Sequence, residues 1–102
     1  MGKIPTFVRM GELVEHTQLS RSTIYNLLAA GLLPPPIQLG PRAKRWPLAE
    51  VLKVLALRTA GASHAEITVA IDTMIKKRQS YFELAIHKET LKFDRYLERK
   101  HP

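Results

Sequence analysis

The chain has 102 residues, 45 % of them hydrophobic and 25 % charged, which suits one compact soluble domain and is too short for two. It contains no cysteine, which excludes disulfides and thiolate metal sites and fits a reducing, cytoplasmic setting; it also reads as lacking a membrane span or a signal peptide. The formal net charge is +7 and the sequence pI about 10.1, values that mark either a merely soluble surface or an anionic partner, of which nucleic acid is the commonest.

The distribution of charge favours the anionic partner. No Asp or Glu occurs from Thr17 to Ala49, whereas Arg21, Arg42, Lys44 and Arg45 do. After Ala49 the signs mix, as they do on ordinary solvated helices. A base-bearing stretch without carboxylates is what a phosphate-facing surface requires, because an acid held against a phosphate repels it.

In chain order, "TFVR" (Thr6 to Arg9) is extended in character, a lead-in strand or arm. A first helix is predicted from Met10 to His16, with Leu13 and Val14 inward. "TQLS" (Thr17 to Ser20) makes the turn, with Leu19 as its apolar plug. The stretch "SRSTIYNLLAAG" then predicts a second helix from Arg21 to Ala30, with Ser20 as N-cap and Gly31 as its stop. Two short helices joined by a tight turn form a helix-turn-helix. Pro34, Pro35 and Pro36 exclude helix. "IQL" alternates as a strand does, "GPRAK" is turn material and "RW" begins a return strand. The result is a small hairpin, or wing, tipped with Arg42, Lys44 and Arg45. Pro47 precedes a third helix, Leu48 to Thr59, whose apolar residues include Val51, Leu52, Leu55 and Leu57. Gly61 ends it. Ser63 and Glu66 have capping-box spacing for a fourth helix with Ile67, Ala70, Ile71 and Met74 inward, closed by "KKR" (Lys76 to Arg78). Ser80 and Glu83 repeat the spacing, which predicts a fifth helix from Tyr81 to about Arg99, with Phe82, Ile86, Phe93 and Tyr96 as a core stripe that Glu89 interrupts. The chain therefore divides into a DNA-binding domain, residues 1–79, and a C-terminal helix, residues 80–102, for packing or pairing.

The second helix carries the chemistry. Ile24, Leu27 and Leu28 set its buried direction; Ser22, Asn26 and Ala29 point nearly opposite, with Thr23 and Tyr25 flanking. A major groove offers donors and acceptors in a pattern that differs for each base pair. Asn26 suits bidentate reading of adenine, Ser22 and Thr23 suit either kind of partner, and the Ala29 methyl allows close approach. Arg21 reaches a phosphate or a guanine edge. Arg42, Lys44 and Arg45 on the wing suit backbone contacts that fix register rather than sequence. Trp46 reads as the hairpin's core anchor rather than a base-stacking platform. "KKR" reads as solvated helix-end charge, with phosphate contact as the alternative. His16, His64, His87 and His101 have no metal-ligand spacing, and no nucleophile–base set or phosphate loop is present. Neither an enzyme, a metal, a cofactor nor a small-molecule effector is expected.

The span "FVRMGELVEHTQLSRSTIYNLLAAGLLPPPIQLGPRAKRWPLAEV" resembles the AlpA family of small phage and prophage regulators, with "LSRSTIY" in the helix-turn-helix and basic residues before a Trp and an "E-V". The next segment, "VLKVLALRTAGASHAEI", is similar to the third and fourth helices of MerR-type regulators. The resemblance implies a mainly α, MerR-like winged helix-turn-helix that binds double-stranded DNA. It further implies a sequence-specific transcriptional regulator of a bacterium, phage or mobile element, or else an excisionase-like directionality factor that bends DNA. A protein-interaction adaptor without DNA binding is the reading from a different class. The aromatic stripe adds an expectation of a homodimer.

Overall fold

The computed structural model describes residues 6–80. In chain order these form β1 (Phe7–Val8), α1 (Met10–Thr17), α2 (Arg21–Ala29), β2 (Ile37–Gly40), β3 (Ala43–Pro47) and α3 (Leu48–Thr59), then α4, helical over residues 64–80. The architecture is mainly helical with a small antiparallel sheet, a winged helix-turn-helix.

Local chemistry sets the helix ends. In α1, Thr17 Oγ1 donates to the Leu13 carbonyl and accepts from the Leu19 N–H. Gln18 adopts the left-handed conformation (φ 59°), so its N–H returns to the Val14 carbonyl and the chain turns sharply into α2. The far ends of α2 and α3 use one device twice. Gly31 (φ 72°) and Gly61 (φ 85°) follow the last helical turns. The N–H groups of Gly31 and Leu32 donate to Leu28 and Leu27, and those of Gly61 and Ala62 to Arg58 and Leu57. This is the Schellman arrangement, which satisfies carbonyls that a helix end leaves open and favours a residue free of a Cβ at the left-handed position.

The sheet has the order β1-β3-β2. Phe7 and Val8 pair with Pro47 and Trp46; Ile37 and Gln38 pair with Arg45 and Lys44. The hairpin turn is only Pro41 and Arg42, since β3 begins at Ala43. Lys44 and Arg45 therefore lie on the return strand rather than at the tip, where sequence reading put all three cations.

Two apolar clusters fill the interior. Val8, Leu13, Ile24, Leu33, Trp46 and Val51 form the first; Leu32, Val54, Ile67, Ile71 and Met74 form the second. Leu27 packs against both, and α3 contributes Val51 to one and Val54 to the other, so the helix-turn-helix and α4 share a support. Ile67, Ile71 and Met74 face inward and Ala70 is half-buried, as the periodicity of the fourth helix predicts. Trp46 is 4 % exposed and sits in the first cluster, the core anchor expected of it.

One expectation fails at the end of α4. The helix does not close at Lys76 to Arg78 but runs on through Ser80. Arg78 is not a freely solvated helix-end charge, because its guanidinium is engaged within the protein. Its Nε donates to Glu50 Oε2 at 3.0 Å and Oε1 at 3.1 Å, and its Nη2 to Glu50 and, at 2.8 Å, to the Pro35 carbonyl. The two side chains are only 21 % and 17 % exposed. A two-oxygen guanidinium–carboxylate contact holds direction as well as charge, so Arg78 ties α4 to α3 and to the proline segment. The predicted fifth helix and its aromatic stripe lie outside the described residues.

Candidate nucleic-acid interface

Helix α2 projects its outer face into solvent because its inner face is fixed by Ile24, which is fully buried, with Leu27 and Leu28 half-buried beside it. Arg21, Ser22, Thr23, Tyr25, Asn26 and Ala29 are all exposed, Tyr25 by 58 %. Ser20 Oγ accepts from the Thr23 N–H at 3.2 Å, the N-cap contact expected from the sequence. Thr23 Oγ1 also lies 2.9 Å from Ser20 Oγ. Its hydroxyl is thus engaged in the cap, whereas Ser22, Tyr25 and Asn26 have no side-chain hydrogen-bond partner among the described residues. Arg21 leans back toward α1, since a Cβ added at Gly11 would lie 3.9 Å from its Nη2.

Between α2 and the wing lies an open cleft of about 540 Å³. Tyr25 and Leu28 line it from the helix; Gln38, Arg42, Lys44 and Arg45 line it from the hairpin, and Arg9 and Trp46 border it too. The fold thereby brings Tyr25 together with the three wing cations, although 16 residues separate Tyr25 from Arg42, the nearest of them in the chain. Arg21, Ser22 and Asn26 do not line the cleft; they occupy the exposed face of α2 beside it. Arg45 Nη1 donates to the Lys44 carbonyl at 2.8 Å, which holds its guanidinium along the strand. Arg42 and Lys44 are exposed.

Sequence reading missed Arg9 and Gln38. Arg9 stood in the lead-in arm, and the signal was its charge directly after the Phe7–Val8 pair. The pairing of β1 with β3 delivers it to the cleft. Its ion pair with Glu12 is long, 3.9 Å, and exposed, so it binds the arginine weakly. Gln38 arrives because it pairs directly with Lys44 across the hairpin. Among the described residues no group of His, Cys, Asp and Glu could hold a metal ion, and no helix is long and apolar enough to cross a membrane.

The family model described as prophage CP4-57 regulatory protein (AlpA) matches residues 6–59, over half of the chain. The chain belongs to the AlpA family. The match runs from β1 to the end of α3 and so includes the whole of α2 and the wing. The chain is also similar to the uncharacterized protein ORF88 of Enterobacteria phage P4, with 42 % identity over 55 residues, 54 % of this chain. It spans about three-fifths of that relative's length, 62 %. No solved structure matches it. The AlpA description is that of a regulatory protein; α4 lies beyond the matched segment.

Proposed function

We propose that this AlpA-family protein binds double-stranded DNA in a sequence-specific way as a transcriptional regulator of a phage, prophage or other mobile element. One observation carries the reading. An exposed helix face with unpartnered donors and acceptors, Ser22, Tyr25 and Asn26, stands beside a cleft lined by Arg9, Arg42, Lys44 and Arg45. No acid lies in the chain between Thr17 and Ala49. Helix α2 enters a major groove, where Asn26 and Ser22 read base edges, while Arg21 and the cations of the cleft hold the phosphates. The winged helix-turn-helix is used in the MerR-like manner, helix in the groove and hairpin along the backbone. Thr23 acts through the cap of α2 more than by base contact.

Selection of bound fragments from a genomic pool with purified protein yields the preferred site. Asn26→Ala and, separately, Ser22→Ala then lower discrimination between that site and random duplex. A good bidentate base contact is worth about 1–3 kcal/mol, roughly a 5- to 150-fold ratio. Binding to random duplex stays nearly constant, because the phosphate contacts remain. Parental selectivity in both variants would remove α2 as the reader. No binding of any duplex at low salt would favour the adaptor reading.

We extend the proposal to a pair of chains, since helix-turn-helix proteins commonly read two half-sites related by two-fold symmetry. The residues offered for pairing are Phe82, Ile86, Phe93 and Tyr96. Sedimentation of the full chain checks this: a mass near 11.6 kDa at micromolar concentration overturns it, and twice that mass supports it.

A further inference from the structure

The two feet of the wing meet at one side chain that lies outside the wing. The hairpin spans Ile37 to Pro47. Pro35 stands two residues before its first strand, and Glu50 stands three residues after its second, in the first turn of α3. Arg78 of α4 holds both. Its Nε donates to the Glu50 carboxylate at 3.0 and 3.1 Å, and its Nη2 donates to the Pro35 carbonyl at 2.8 Å. The incoming foot has little else to fix it. Leu33 and Pro34 are buried, but Pro35 is exposed. Pro34, Pro35 and Pro36 have no N–H to donate. Among the described residues no other hydrogen bond reaches the main chain from Leu33 to Pro36. The outgoing foot needs less help, because β3 is the central strand and Trp46 anchors it in the core. β2 is an edge strand whose one neighbour is β3. From the root that Arg78 holds come Pro36, Gln38 and, at the turn, Arg42, all of which line the cleft beside α2.

We propose that Arg78 is a positioning residue for DNA binding: it fixes the angle at which the wing leaves the core, and so the placement of Arg42 relative to the reading face of α2. This rests on the DNA-binding reading above and adds to it a residue that touches no DNA. The chemistry of the side chain suits the role. A guanidinium presents several donors in one rigid plane, so a single residue holds a carboxylate by two contacts and a carbonyl by a third. The Arg78 and Glu50 side chains are largely buried, so salt screens their contact much less than it screens an exposed phosphate contact. Pro35, Glu50 and the whole wing lie within the matched residues 6–59, and Arg78 lies beyond them. Phosphate contact by the wing is thereby tied to α4.

The test removes the clamp without changing net charge. Glu50→Gln together with Arg78→Met takes away one acid and one base, so the formal charge stays at +7 and neither partner is left buried alone. Four full-length proteins are compared: the parent, Arg42→Ala, the clamp variant, and the clamp variant that also carries Arg42→Ala. Amide hydrogen exchange without DNA is expected to quicken in the clamp variant by about tenfold more over residues 37–47 than in α1 and α2. Binding to random-sequence duplex is then followed across a salt series. Arg42→Ala and the clamp variant are each expected to lose about threefold or more in affinity and to flatten the log–log salt dependence by about one unit. Adding Arg42→Ala to the clamp variant is expected to cost no more than about twofold further, because the contact it removes is already lost. A role in overall stability alone would quicken exchange equally throughout the domain, leave the salt slope at the parental value and let the two losses multiply. Any of those results overturns the proposal, as does parental exchange in the wing of the clamp variant. A parent that binds no duplex overturns the DNA-binding reading and this use of the clamp with it, and the exchange data, taken without DNA, tell that failure from a failure of the clamp to hold the wing.

Discussion

Helices α2 and α4 begin with the same device and end it differently. Each has a serine N-cap, Ser20 or Ser63, whose Oγ accepts from the N–H three residues on, at 3.2 Å in α2 and 3.1 Å in α4. Each buries an isoleucine four residues after the cap, Ile24 or Ile67, both fully buried. Each has an apolar residue just before the cap, Leu19 or Ala62, packed on the same cluster as that isoleucine. The difference is the third helical residue. In α4 it is Glu66, whose carboxylate accepts from the Ser63 N–H at 2.9 Å and completes the capping box. In α2 it is Thr23, whose hydroxyl only meets Ser20 Oγ. A carboxylate there would stabilise α2 through both the box and the helix dipole. The chain has that solution in α4 and omits it in α2. The omission makes sense if the start of α2 lies against phosphate, and it extends the acid-free stretch to the helix end where an acid would be most favourable for stability alone.

The shared part of the device sets the largest effect. Ile24→Ala and Ile67→Ala each remove most of a fully buried side chain, and each is expected to destabilise the domain by about 2–5 kcal/mol. Urea unfolding of both variants should remain a single transition, because α3 and Leu27 join the two clusters. Ile24→Ala should abolish DNA binding by unfolding rather than by lost contact. A two-step transition in Ile67→Ala would show that α4 melts apart from the rest, and the two helices would then not be comparable.

The second effect addresses the omission directly. Thr23→Glu supplies the missing carboxylate, so α2 should gain roughly 0.3–1 kcal/mol from the dipole. Affinity for duplex DNA should nevertheless fall by about tenfold or more, since like charges about 4 Å apart cost about 1 kcal/mol even in bulk water and more near a protein surface. Thr23→Gln is the control: it can close the box without charge and should bind near the parental level. A more stable Thr23→Glu protein that binds DNA as tightly as the parent would break the argument, and the absence of an acid in α2 would need another cause.

The caps of α2 and α4 and the glycine ends of α2 and α3 were legible in the sequence because cap chemistry is local: the donor, the acceptor and the left-handed glycine lie within six residues. The expected spans of α1, α2 and α3 came within a residue of the observed ones, whereas α4 runs past the Lys76 to Arg78 close expected of it. What the sequence did not show depends on contacts made far along the chain. Arg78 reaches Glu50 across 28 residues, and nothing in "KKR" marks one of three cations as half-buried. The apolar set of α3 pointed to Leu52, which is 47 % exposed, and passed over Val54, which is 1 % exposed. A helix that serves two clusters has a wide apolar arc, and its edge is set by its neighbours. The same holds for the candidate interface. The face of α2 could be read from helical spacing, whereas the cleft with Arg9 and Gln38 required the strand order β1-β3-β2.

The smallest effect lies on the α4 side of the comparison and is seen as a pH dependence. The Glu66 carboxyl is held below its ordinary 4.5, first by the hydrogen bond from the Ser63 backbone N–H and then by the Ser63 hydroxyl. The folded state thus favours the ionised form. A carboxyl with a lowered folded value contributes stability that is fully present above 4.5 and is lost as pH falls through that lowered value. Glu66→Gln keeps an acceptor for the Ser63 N–H but has no proton to bind in this range. The parent should therefore be slightly more stable than Glu66→Gln at neutral pH, and the gap in denaturant midpoint should close in acid. Because the group is fully exposed, the gap is small and shrinks further with salt. On the proposed reading, in which α2 and the wing meet DNA, affinity for duplex should stay within roughly twofold of the parent's, since a distant surface charge is screened. A gap that persists unchanged into acid would mean that the cap of α4 draws nothing from the charge of Glu66. The contrast with Thr23 would then be one of hydrogen-bond geometry alone.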